Sequence, residues 1–248
     1  MRYFISDLHL SPETPRTLSV LRAFLGGIRP GSELFVLGDL FDAWVGDDDL
    51  DDPFNEAVVT AFSFAVQSGV RGRILHGNRD FLIGGRFAEA SGLKLIEEPY
   101  LIELGGERTV LLHGDILCAD DHAYQAFRRE VRALPWQRSF LALPLAERRQ
   151  RITALRRESE SAKQGKPMAL MDVSEHAVRA LLTQTGATQM VHGHTHRPAR
   201  HVLAGGLRWV LGEWTDGDVR PSGKDRSSAT ILVEEGGRLE LRTIGTSG

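Results

Sequence analysis

The chain has 248 residues, 42% of them hydrophobic and 25% charged, with 30 basic against 33 acidic side chains and a formal net charge of −3. These proportions suit a soluble globular chain long enough to bury a core, and the slight acidity excludes a general nucleic-acid binder. The one cysteine, Cys118, excludes an internal disulfide framework, while the lack of a signal-like start or of an apolar run near the roughly 18 residues that cross a bilayer predicts a cytoplasmic protein.

In chain order, RYFISDLH predicts a strand that ends at Asp7 and His9. A helix is expected over about Thr14–Leu25, and SELFVLGDLFD reads as a strand ending at Asp39. GDDDLDD, from Gly46 to Asp52, lacks the spacing and closing Glu of a calcium loop. It reads as a solvated loop that leads into a helix at Pro53–Gln67. GRILHGNRD and RTVLLHGD are two further strands, ending at Asn78 and His113. Ser174–Gln184 is helical, and ATQMVHGHTH is a strand ending at His194 and His196. Strands near Arg208–Leu211, Ala229–Val233 and Leu239–Thr243 form an antiparallel tail. Strands alternating with helices predict α/β architecture.

Residues 122–166 carry no strand pattern. They hold nine Arg and two Lys against four Glu, a net +7, which leaves the rest of the chain at −10. Such a split marks either a distinct functional surface or a solvated helical face. Tyr124, Phe127, Leu134, Trp136, Phe140, Leu141, Leu143 and Leu145 lie among these arginines. Such a segment gains about 0.8 kcal/mol for each CH₂ that its apolar side chains bury. It also suits an anionic membrane surface, where each Lys or Arg contributes about 1 kcal/mol. Residues 122–166 are therefore expected to be an inserted helical cap on a single domain spanning 1–248, resting on a membrane surface as a peripheral protein.

The strand ends concentrate metal-ligating residue types. Asp7 and His9 are two apart, as are His194 and His196, and in an extended segment such pairs point the same way. Asp39, Asn78 and His113 each follow a separate strand, and in α/β sheets ligands gather beyond the carboxyl ends of strands. Taken singly, Asp39 also reads as a turn or cap residue and Asn78 as a turn. Seven candidates exceed one tetrahedral site. Two carboxylates, an amide and four imidazoles without a thiolate suit two ions such as Mn²⁺, Fe²⁺ or Zn²⁺. Such a pair attracts phosphate and acidifies water. Cys118 has no visible activating partner and reads as structural.

Asp7-Leu8-His9, Gly38-Asp39, Gly77-Asn78, His113 and Gly193-His194-Thr195-His196 together resemble the calcineurin-like metallophosphoesterase superfamily. That resemblance implies a β-sandwich flanked by helices. It assigns Asp7, His9, Asp39 and His196 to one ion and Asp39, Asn78, His113 and His194 to the other, with Asp39 bridging. His192 matches no ligand position. The superfamily usually has His after the Asn, where this chain has Arg79. Arginine cannot serve as a general acid, but its fork stabilises charge on phosphate oxygens. Arg79 also reads as a surface residue paired with Asp80. The substitution favours a bond whose leaving group needs no proton, such as a pyrophosphate.

GNRDF, HGDILCADDHAYQAFRR, LMDV and HGHTHRPA are similar to one branch, the UDP-2,3-diacylglucosamine hydrolases of lipid A biosynthesis. That resemblance implies a Mn²⁺-activated enzyme, expected to be a monomer, whose cap at 122–166 lies over the site, lines a pocket for acyl chains and rests on the inner membrane. Water attacks the α-phosphorus of UDP-2,3-diacylglucosamine, giving UMP and 2,3-diacylglucosamine 1-phosphate (lipid X). Asp39 and Arg79 take catalytic roles. Substrate contacts fall on Asn78, Arg79, Asp121, Ser159, Lys163, Lys166 and His194, with Lys163 standing where the branch has Asn.

Overall fold

The computed structural model describes residues 1–164, 172–216 and 228–245, with helical backbone alone at 158–164. Eleven strands appear in these residues: β1 Arg2–Ile5, β2 Glu33–Leu37, β3 Arg71–Leu75, β4 Lys94–Leu95, β5 Tyr100–Leu104, β6 Glu107–Leu111, β7 Gln189–His192, β8 Ala199–Leu203, β9 Gly206–Val210, β10 Ser228–Glu235 and β11 Arg238–Gly245. They form two sheets, in the orders β11-β10-β1-β2-β3-β4 and β5-β6-β7-β9-β8.

Side-chain alternation sets the layers. In β1 and β2, Phe4, Phe35 and Leu37 face the second sheet and meet Leu111, Val191 and Trp209 there. Phe4 and Phe35 stack at 5.0 Å. Tyr3, Ile5, Leu34 and Val36 point the other way. They pack beneath α1 (Pro15–Gly27), α2 (Pro53–Gln67) and α3 (Gly85–Ser91), which contribute Leu21, Phe62 and Phe87. On the far side, α7 (Glu175–Thr185) covers the second sheet through Val178, Leu181 and Leu182 against Val110 and Met190. Each buried side chain of this kind contributes about 1.5–3 kcal/mol. The result is the expected αββα sandwich.

β1, β2, β3 and β4 run parallel, as do β6, β7 and β9. The loops after β1, β2, β3, β6 and β7 carry the seven candidate ligands. The tail departs from expectation. β10 and β11 form an antiparallel hairpin beside β1, but the strand at Arg208 is β9 and lies parallel to β7 in the other sheet. β4, β5, β8 and α3 are too short or too weakly periodic to stand out in the sequence.

Between β6 and α7 the chain forms α4 (His122–Val131), α5 (Leu134–Leu141) and α6 (Leu145–Gln164). Val131 and Phe140 are buried in the core beneath the first sheet's helices, with Trp136 and Leu143 packed against them. Phe127, Leu134 and Leu141 face outward, 38%, 65% and 41% exposed.

The acidic stretch 46–52 is corrected from a solvated loop to a bonded one. Asp47 accepts from Trp44 Nε1 at 3.1 Å and from the backbone N–H groups of Gly84 and Phe87 at 2.9 and 3.1 Å. Asp48 and Asp49 pair with Arg148 and Arg149 of α6. Asp52 caps α2 by accepting from Phe54 N at 2.9 Å, with Pro53 opening the helix. Part of the loop's negative charge is thus met by Arg148 and Arg149 of α6, which neither stretch reveals alone.

Candidate metal centre

Asp7, His9, Asp39, His194 and His196 have φ of 56°, 46°, 52°, 68° and 55°. They are the only non-glycine residues at positive φ among the described residues. Each such backbone costs of order 1–3 kcal/mol and persists only where the surroundings enforce it. This corrects the extended geometry expected of the two i, i+2 pairs. β1 ends at Ile5 and β7 at His192, so the pairs sit on tight left-handed turns beyond the strands. They converge because those turns aim them inward.

The enforcing contacts are specific. Leu8 and His9 donate backbone N–H groups to Asp39 O at 2.9 and 3.1 Å. Buried Asp80 accepts from the N–H groups of Gly77, Asp39 and Leu40 at 2.8, 3.3 and 2.7 Å. Both Asp80 oxygens are thereby occupied by backbone, so Arg79 is not its ion-pair partner. Backbone crowding also demands glycine. A Cβ on Gly77 would fall on Asp39 Oδ1, and one on Gly193 would fall on Ser6 Oγ and Asp7 Oδ2.

Two donor sets result. Donor atoms of Asp7, His9 and His196 lie within 4.8 Å of one another, as do those of Asp7, Asp39 and His113. Asn78 Oδ1 is 3.0 Å from His113 Nε2 and 2.9 Å from His194 Nδ1. Asp7 is common to both sets, and Asp39 Oδ2 of the second set also faces the first, 3.9 Å from His9 Nδ1 as well as 3.6 Å from His113 Nε2. The other Asp39 oxygen accepts from Arg79 N at 2.8 Å. His9 Nδ1 is buried without a hydrogen-bond partner. An orphaned imidazole nitrogen facing a carboxylate among further N and O donors fits divalent cations.

Outer contacts orient the rings. His113 Nδ1 donates to Leu37 O at 2.9 Å, which turns Nε2 inward. His196 Nδ1 donates to Glu213 Oε2 at 3.1 Å and turns Nε2 toward Asp7 Oδ1 at 3.4 Å. Sequence reasoning missed Glu213, although it lies just past β9 as the other candidates lie past their strands. His192 is buried and outside both sets, its Nδ1 bonded to Gly193 O at 2.8 Å.

The charges oppose one another. Burial would raise the Asp7 carboxyl, but the His196 hydrogen bond and surrounding imidazoles hold it well below the carboxylate range. Burial pushes Asp39 up to about 7, against the pull of His113. Burial lowers His9 and His194 to about 3. It would lower His113 and His196 as well, but Asp39 and Asp7 raise His113 to about 9, and Asp7 and Glu213 raise His196 to about 10.

α4 borders this centre. Tyr124 stacks near His194, with ring centroids 6.3 Å apart, and its OH donates to Asp115 Oδ2 at 2.6 Å. Arg128 donates to Asp115 at 2.7 Å and pairs with Glu98, whose other oxygen accepts from His113 N at 2.9 Å. Arg132 donates to Gly77 O at 2.8 Å. Half-buried Arg79 has no hydrogen bond or ion pair to its guanidinium among the described residues. Asp121 is the N-cap of α4, accepting from Tyr124 N at 3.1 Å. Ser159 and Lys163 fall on α6 beyond the last described side chain, and Lys166 lies outside the described residues.

Residues 3–198 match the family model for calcineurin-like phosphoesterases. A UDP-2,3-diacylglucosamine hydrolase of Aromatoleum aromaticum is 48% identical over 218 residues, covering 86% of this chain and 89% of that protein. One of Escherichia coli is 44% identical over 223 residues, covering 87% and 92%. One of Chromobacterium violaceum is 46% identical over 245 residues, covering 96% and 97%.

Proposed function

The chain belongs to the calcineurin-like phosphoesterases and is a metal-dependent hydrolase, and from that premise we propose that it splits the pyrophosphate of UDP-2,3-diacylglucosamine into UMP and 2,3-diacylglucosamine 1-phosphate. The reach of a single oxygen, Asp39 Oδ2, to an imidazole of each donor set, His9 and His113, carries the reading. In this reading Asp7, His9, Asp39 and His196 would hold one cation, and Asp39, Asn78, His113 and His194 would hold the other. Asp7 is near both sets, but both its oxygens accept from His194 N, at 3.1 and 2.9 Å. Asp39 has one oxygen turned to both, which favours it as the bridge. Two divalent ions, Mn²⁺ in this reading, supply positive charge for phosphate oxygens and acidify water.

The chain's own residues do the rest. Arg79 forks onto the α-phosphate and stabilises its developing charge. Water attacks the α-phosphorus, and the bond to the bridging oxygen breaks. The departing lipid phosphate needs no proton, consistent with Arg in place of His. The insertion α4–α6 borders the site and receives the acyl chains on its apolar side, while Ser159, Lys163, Lys166 and Asp121 contribute polar contacts. Exposed Phe127 and Leu134, on helices that also carry exposed Arg129 and Arg138, support our reading that the protein, a monomer, rests on the cytoplasmic face of the inner membrane. Among the described residues, no helix is long and apolar enough to cross a membrane.

The test is UMP release from UDP-2,3-diacylglucosamine by metal-free protein, with and without Mn²⁺, beside unacylated UDP-N-acetylglucosamine. Mn²⁺-dependent release from the acylated substrate alone is expected. Release from both removes the insertion from substrate selection, and release from neither overturns the substrate.

A further inference from the structure

We infer that Arg148 is the positioning residue that seats the α5–α6 part of the insertion on the body of the enzyme. The inference rests on the reading above, in which the insertion contributes to substrate binding. Arg148 is a fully buried guanidinium in a helix whose other arginines are at least partly exposed. A buried cation is costly unless its donors are matched, and four of the five N–H groups of Arg148 have acceptors. Nε donates to Leu143 O at 3.0 Å, in the turn between α5 and α6. Nη1 donates to Val45 O at 2.6 Å and to Asp48 Oδ1 at 2.8 Å, both in the loop after β2. Nη2 pairs with Asp48 Oδ2. One planar fork therefore holds a carbonyl of the insertion and a carbonyl and carboxylate of the body.

The body is shaped to receive it. A Cβ on Gly46, at φ 131°, would meet Arg148 Nη1 and stand 2.7 Å from Leu141 Cδ2. The loop itself is fastened by Asp47 to Trp44 and to the N-terminus of α3. Arg148 thus bears on a rigid partner, and that loop is the continuation of the segment carrying Asp39. Arg149 with Asp49 and Asp52, and Arg156 with Asp42, extend the same contact along α6. The arginines of these pairs are more exposed than Arg148, and partly exposed pairs individually contribute little. The +7 of the insertion is thus partly a fastening charge.

The experiment compares wild type with Arg148→Met and Arg148→Lys by hydrogen–deuterium exchange, Mn²⁺ titration calorimetry and steady-state kinetics on UDP-2,3-diacylglucosamine. In Arg148→Met, amides between Leu145 and Arg157 are expected to exchange about tenfold faster while β1, β2, β6 and β7 keep their protection. Mn²⁺ affinity is expected to stay within about twofold, and KM to rise about tenfold with kcat nearly unchanged. Lys, a point donor, is expected to recover only part of both effects. Unchanged exchange in α6, or equal loss across the sheets and of Mn²⁺ binding, overturns the inference. If Arg148→Met does not fold, Asp48→Asn decides, since its half-exposed side chain is tolerant. It is expected to loosen α6 alone, and no change there overturns the inference. If wild type releases no UMP, the substrate reading fails while the exchange result still judges Arg148.

Discussion

Nδ1–H of His196 donates to Glu213 Oε2 across 3.1 Å, and this contact turns Nε2 of His196 toward Asp7. A carboxylate behind a ligating imidazole fixes its tautomer and increases its basicity, and removing one commonly costs about 10–100-fold in metal affinity. Glu213→Gln keeps the shape but loses the charge. Its Mn²⁺ dissociation constant, measured by calorimetry, is expected to rise about tenfold. Unchanged affinity would make the contact incidental.

Asp80 is the buried staple between the loops of Asp39 and Asn78. Asp80→Ala strands three backbone donors, those of Gly77, Asp39 and Leu40. At about 1–3 kcal/mol for each buried donor left unpaired, chemical denaturation is expected to show a loss of about 3 kcal/mol or more. Mn²⁺ binding should weaken in parallel, because Asp39 is held at φ 52° by the same contacts. A loss typical of surface substitutions, about 0.5 kcal/mol, would contradict this.

Arg79 is expected to act on charge that develops during the reaction. Arg79→Ala should lower kcat by about 10²–10³. Mn²⁺ affinity should hold, because only the backbone N–H of Arg79 touches a ligand. A rise in KM with kcat intact would instead mean that the guanidinium binds substrate and transition state equally.

Burial, with Asp115 nearby, pushes the Cys118 thiol up to about 12. The thiolate is the reactive form, and the buried thiol lacks it at neutral pH. Native protein at pH 8 is expected to resist iodoacetamide, and unfolded protein to be alkylated readily. Rapid labelling of the native state would contradict a structural cysteine.

The strand-end residues were legible because the chemistry of a ligand is local to its side chain. Asp7, His9, Asp39, Asn78, His113, His194 and His196 are the right donor types, each just past an apolar run. The start of helix α2 was legible, since Asp52 is its N-cap and Pro53 its first residue. Local signals failed where partners are distant. GDDDLDD looks solvated until α6 arrives from about 100 residues away to meet part of its charge.

The sequence by itself determined the layer pattern, through period-two alternation in β1 and β2, and which metal-ligating residue types follow each strand. Only the tertiary structure decided how those donors meet. The left-handed turns at Asp7, His9, Asp39, His194 and His196 are unfavourable locally, so no local propensity predicts them. They are imposed by hydrogen bonds between loops about 40 or 190 residues apart, such as Leu40 N to Asp80 and His194 N to Asp7. A position that is strained alone and stable only in company is invisible until the company is assembled.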